Sequence, residues 1–178
     1  MIQELSVRPM PKNQNARYAF FGLLGAAAAT VIVSYFLSSY KGVIQLASLL
    51  LLVAAVLVYT RYVGSTYYYE VAFAGETPIF LVSQVTGRRR SALCRVNLCD
   101  VIGIETLTGA QYRAYKPESG MKRYNYTPTL GPSEVQLMRV RSRMEKADVF
   151  LELSEEFRAL LLSYAEEARA LRALEDED

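Results

Sequence analysis

The sequence predicts a membrane-anchored α+β chain: a two-helix transmembrane hairpin, then a small antiparallel β-sheet or barrel domain closed by a C-terminal amphipathic helix. Three observations predict it. Residues 18–40 and 42–60 contain no Asp, Glu, Lys or Arg. Residues 67–153 hold short aromatic and β-branched runs separated by Gly, Pro and Asp. After Ser154 the apolar residues change to helical spacing. The expected division is a cytoplasmic segment at 1–17, the transmembrane hairpin at 18–62, and a cytoplasmic domain at 63–178 whose helix covers about 154–174.

A helix needs about 20 apolar residues to cross about 30 Å of hydrocarbon, and both uncharged runs reach that length. The soluble alternative, two buried helices, would need a core large enough to cover helices with no polar face, and 178 residues do not provide one. A cleaved signal peptide accounts for the first run less well. Its small residues Ala26, Ala27 and Ala28 are followed by further apolar chain, Val31-Ile32-Val33 through Phe36 and Leu37. Only residues 38–42 separate the runs, so the helices are antiparallel. Arg8, Lys12 and Arg17 precede the first run and Arg61 follows the second, while the turn carries only Lys41. The positive-inside rule then predicts a cell-membrane protein that crosses twice, with both termini cytoplasmic. Tyr18, Phe20 and Phe21, then Tyr35, Phe36 and Tyr40, then Tyr59 and Tyr62 mark the expected interfaces. Neither span holds a charge at membrane depth, which argues against a self-sufficient transporter. Gly22, Ala26 and Thr30 recur every four residues and permit close helix packing. The expected packing partner is the second span, with a second copy or another membrane protein as the alternative.

Past Arg61, residues 67–73 form the first expected strand, Ala74-Gly75-Glu76 a turn, and residues 79–85 the second strand. Thr86-Gly87-Arg88 turns the chain again. Residues 92–97 pair back as a third strand, and 101–107 follow as a fourth or as its continuation past a bend at Cys99-Asp100. Residues 109–133 contain Gly109, Pro117, Gly120, Pro128, Gly131 and Pro132 and are expected to be mostly loop. Residues 135–140 and 149–153 complete the strands. Ser154 is the expected helix N-cap, with Glu155 and Glu156 in the first turn and Arg169 and Arg172 near the end. Phe157, Leu160, Leu161, Tyr164, Ala168 and Leu171 share the face expected to cover the sheet, and residues 175–178 form an acidic, solvated tail.

Composition excludes much chemistry. The chain has no histidine and two cysteines, which removes imidazole catalysis, histidine-based zinc sites and a disulfide scaffold. Cys94 and Cys99 are expected to be small buried apolar residues. Asp100 and Glu105 are expected to be a turn residue and an exposed strand residue rather than a carboxylate pair. No phosphate-binding loop, dinucleotide fingerprint or kinase motif occurs. No metal, cofactor or nucleic-acid partner is implied, and the chain is expected not to be an enzyme.

The net charge of +2 conceals an asymmetry: residues 88–146 hold 12 Lys/Arg against five Asp/Glu, and residues 148–178 hold three Arg against ten acids. Arg88, Arg89 and Arg90 stand at a hairpin, and Lys122 and Arg123 lie among Tyr112, Tyr115, Tyr124 and Tyr126. Guanidinium groups bind phosphate bidentately and tyrosines suit the headgroup layer, so these five basic residues are the expected lipid or phosphate contacts. The competing explanation is a solvated basic loop that obeys the positive-inside bias.

Tyr68-Tyr69-Glu70-Val71 just after the membrane, Gly87-Arg88-Arg89 at the hairpin, Val96-x-Leu98-x-Asp100-Val101-x-x-Ile104-Glu105, and Phe150-Leu151-Glu152-Leu153 before the last helix resemble the bacterial pleckstrin-homology-like (PH-like) membrane proteins. The resemblance implies a two-helix anchor followed by a small cytoplasmic sheet domain. Neither the phosphoinositide motif of eukaryotic PH domains nor a place for residues 109–133 follows from it. The expected function is a non-enzymatic module at the cytoplasmic membrane surface that binds a protein or lipid headgroups. The alternative is an accessory or regulatory subunit of a membrane transport or envelope-stress complex, docked through its helices.

Overall fold

The computed structural model describes residues 5–7, 9, 14–75, 77–142 and 145–175. Arg8, Lys12, Glu76 and residues 176–178, all used above, lie outside the described residues. The chain is α+β: two long apolar helices, two four-stranded sheets and a C-terminal helix.

Helix α1 covers Gln14–Phe36. A 3-10 turn at Ser38–Tyr40 reverses the chain into α2 at Lys41–Val58, which continues through a π-helical turn, Tyr59–Val63. Both helices are long and apolar enough to cross a membrane, and 11% of each span's apolar window is buried. So little burial is not that of helices in a soluble core, because nearly all of their apolar surface faces outward.

The helices pack through Ala16, Ala27 and Ser34 on α1 and Ser48 and Ala55 on α2. The Ser48 hydroxyl donates to the Ala27 carbonyl at 3.1 Å. Thr30 and Ser34 donate to carbonyls three residues back, so their hydroxyls remain satisfied in apolar surroundings. Gly22 and Ala26 are exposed, and a Cβ built on Gly22 meets nothing within 4 Å. This corrects the expected seam. Only Thr30 of the stripe lies beside it, because Ala27 meets Ser48 of α2 and Gly22 and Ala26 fall on an adjacent, exposed face.

The first sheet has the order β1-β2-β3-β4, with β1 at Leu5–Val7, β2 at Ser65–Ala74, β3 at Thr77–Thr86 and β4 at Arg89–Asn97. β1 comes from the N-terminal segment and pairs with β2, Leu5 opposite Val71 and Val7 opposite Tyr69. Both ends of the helical hairpin therefore meet the same domain. Gly87 at the β3–β4 turn has φ +60°, a conformation that favours glycine.

A 3-10 turn at Leu98–Asp100 carries the chain out of the first sheet. β5 at Val101–Thr108 joins a second sheet with the order β5-β7-β8-β6, where β6 is Lys122–Asn125, β7 is Glu134–Arg141 and β8 is Lys146–Leu151. Two expectations are corrected here and one is refined. The sheets do not close into a barrel. Residues 109–133 are mostly loop, as expected, and also hold a short helix, α3 at Gly109–Ala114, and β6. β6 runs parallel to β8, so the sheet is not wholly antiparallel.

α3 begins with a capping box: Gln111 N donates to Thr108 Oγ1 at 3.3 Å, and Thr108 N donates to Gln111 Oε1 at 2.8 Å. Gly109 has no room for a side chain, since a Cβ there would lie 2.7 Å from the Pro132 carbonyl oxygen. This close approach lays Tyr112 and Tyr115 on Phe150, at centroid distances of 5.1 and 5.4 Å.

The main core lies between the sheets. Tyr67, Tyr69 and Val71 of β2 and Phe80 and Val82 of β3 meet Met138, Val149 and Leu151 of the second sheet. Helix α4, Glu155–Glu175, adds Phe157, Leu161, Ala165 and Ala168. Cys94 and Cys99 are half-buried free thiols at its margin rather than fully buried, because each lies where an edge strand or turn meets solvent.

Candidate functional site

The end of α2 organises the basic side chains. Ser65, the first residue of β2, stands opposite Thr86, and Thr86 stands opposite Arg89. Paired Cα atoms lie about 5 Å apart, so the β3–β4 tip sits two strand spacings or less from the residue that leaves the α2 turn. Arg88 and Arg89 are exposed on that tip. Among the described residues they have neither ion pair nor hydrogen-bond partner.

The other three predicted contacts are otherwise engaged. Arg90 forms an ion pair with Glu70 and lies over the Tyr68 ring, 5.6 Å from its centroid. Arg123 lies over Phe150 at 4.7 Å and Tyr112 at 5.3 Å, where it packs the outer face of the second sheet. Lys122, its neighbour on β6, pairs with Glu145 at 3.2 Å. The five basic residues thus do not form one cluster. They form an exposed hairpin tip, an ion-paired arginine, an arginine held between aromatic rings and a surface ion pair. Asp100 pairs with Arg172 at 2.9 Å, and Glu105 with Arg139 at 3.2 Å.

Spacing did not single out Arg61 as a structural tie. Its Nη2 donates to the Asn125 carbonyl at 2.7 Å, joining the end of α2 to β6. The Asn125 amide then donates to the Tyr112 hydroxyl at 2.8 Å. Arg123 and Tyr112 are thereby held toward the same end of the domain as the hairpin tip.

A cavity of about 580 Å³ opens between the two sheets. Its walls include residues 93–97 of β4 and Tyr124 and Tyr126, whose rings stack nearly parallel with centroids 6.2 Å apart. Val140, Ala147 and Val149 form an apolar floor. Tyr126 spans the gap, its hydroxyl donating to the Leu93 carbonyl at 3.3 Å. Burial pushes the Cys94 thiol and the Tyr126 phenol upward in pKa. At the rim the Tyr124 hydroxyl donates to Glu145 at 2.8 Å, and this bond, with Lys122, holds the Glu145 carboxyl below its ordinary range.

Among the described residues no group of three or more His, Cys, Asp or Glu is placed to hold a metal ion. What the surface offers is the exposed Arg88 and Arg89 side chains and an apolar corner between the sheets. Searches against protein-family models, curated proteins and solved structures match nothing to this chain.

Proposed function

We propose that this chain is a two-pass cell-membrane protein of the PH-like kind, with both termini cytoplasmic, whose β3–β4 tip contacts anionic lipid headgroups. One observation carries the proposal: the strand register brings the unpaired Arg88 and Arg89 beside the last turn of α2. Guanidinium groups there lie at headgroup depth, where each basic side chain contributes about 1 kcal/mol of attraction to an anionic leaflet. β1 pairing with β2 supports a common side for the N-terminus and the domain. Arg17 and Arg61 at that side, against Lys41 at the turn, support the cytoplasmic orientation. In this role the protein is a binding module and not a catalyst, in keeping with a chain that has no histidine.

The fragment from residue 64 onward should sediment with phosphatidylserine vesicles at low salt. Arg88→Ala with Arg89→Ala should weaken that binding by at least about tenfold, from two side chains at about 1 kcal/mol each. An unchanged far-UV circular dichroism spectrum controls for folding. Equal binding by the double variant would sink the proposal.

The exposure of Gly22 and Ala26 supports a second role, as an accessory subunit docked through α1 onto another membrane protein. Replacing both helices with unrelated spans separates the two. A headgroup-binding module keeps its function after the exchange, and a helix-docked subunit loses it.

A further inference from the structure

The two sheets fail to close at one corner, between β4 and β6. Each is the last strand of its sheet. Residues 93–97 all line the cavity there. Successive strand residues point to opposite faces, so five in a row border one cavity only if it runs along the strand's edge. Among the described residues no strand pairs with that edge, although the Tyr126 hydroxyl donates to its Leu93 carbonyl. A bulge marks it: Val82 pairs with Cys94 and Ser83 with Ala92, leaving Leu93 unpaired and its side chain exposed.

Charge narrows what fits. The acids at the rim are engaged, Asp100 by Arg172 and Glu145 by Tyr124 and Lys122. Arg95 is exposed and has no partner among the described residues. No Asp or Glu occurs from residue 77 to residue 99. The corner therefore presents an uncompensated positive charge beside a backbone edge and an apolar floor. Its volume falls within the roughly 300–1,000 Å³ of ligand clefts.

We propose that this corner receives an extended, acid-bearing peptide segment of a partner protein, which adds to β4 as a further strand of the first sheet. Its backbone pairs with β4, an apolar side chain seats on Val140, Ala147 and Val149, and a carboxylate meets Arg95. Arginines on the edge also guard it against pairing with uncharged strands, so entry is restricted to acidic ones. The site goes beyond the headgroup contact and uses different residues, so either can fail alone.

The test uses the full chain in phosphatidylcholine nanodiscs and a fluorescent synthetic peptide of alternating valine and glutamate. Saturable binding is expected, with amide hydrogen exchange slowed along residues 92–96. Arg95→Glu should weaken binding by about tenfold or more, the worth of a charge-assisted hydrogen bond. Arg88→Ala with Arg89→Ala should leave it unchanged. Ala147→Phe should block it by filling the floor, and Arg95→Glu, a surface change, carries the test if that variant does not fold. No binding, equal binding of the valine–lysine counterpart, or occupancy by oleate without protection of β4 would each overturn the proposal.

Discussion

Asp148 is fully buried on β8, and its Oδ2 accepts a 2.6 Å hydrogen bond from the Tyr115 hydroxyl while Oδ1 has no partner among the described residues. Nothing in Lys146-Ala147-Asp148-Val149-Phe150 marks the aspartate as buried; the loop that carries Tyr115 onto it makes it so. Tyr115→Phe removes the one hydrogen bond this carboxylate has among the described residues and should cost about 1–3 kcal/mol in urea unfolding. Burial first, then Asp148, pushes the Tyr115 phenol up to about 12 from its ordinary 10. The folded state thus favours the neutral phenol, so its stabilisation is complete below pH 10 and is lost as pH rises from 10 to about 12. Tyr69 and Tyr126 shift in the same direction, also chiefly by burial. Thermal melts should hold steady up to about pH 10 and fall above it, in step with phenolate absorbance, and less steeply for Tyr115→Phe.

Among the elements, α4 was the most legible. Phe157 N donates to Ser154 Oγ at 3.3 Å, two glutamates occupy the first turn and Arg172 the last, as their spacing indicated. Phe157, Leu161 and Ala168 are buried as expected, but Leu171 is 46% exposed, so the helix outruns the sheet it covers. Leu161 has no exposed surface, and Leu161→Ala should destabilise the domain by about 2–5 kcal/mol in chemical denaturation. A loss below about 1 kcal/mol would mean that α4 is not held by the core. β6 was the least legible element. Its four residues are too few for a periodic signal, and its pairing with β8 depends on chain 20 or more residues away.

At the scale of the molecule, two helices are long and apolar enough to cross a bilayer, and their contacts predict which parts would then share a side. β1 pairs with β2, and Phe20 of α1 packs on Tyr59 of α2 with ring centroids 5.3 Å apart. Reporters fused to the two termini should therefore give the same signal, and the positive flanks predict a cytoplasmic one. A cysteine introduced at Lys41 should be labelled by an impermeant reagent from the opposite face. An extracytoplasmic signal from the C-terminus would overturn the orientation and the headgroup contact together.

The sequence by itself determined the two apolar helices, the β2–β3–β4 meander and the C-terminal helix. These follow from local quantities: uncharged length, period of two or 3.6, turn residues and caps. Only the tertiary structure decided that β5 leaves the first sheet, that Ala27 rather than Gly22 meets α2, and that Glu70 and Glu145 engage Arg90 and Lys122. Each of those outcomes joins residues distant in the chain, and competition for packing space and charge partners selects among arrangements that local patterns leave equivalent. Among the described residues the Arg88 and Arg89 side chains have no ion pair. The register of β2, β3 and β4 carries these two arginines to the end of α2.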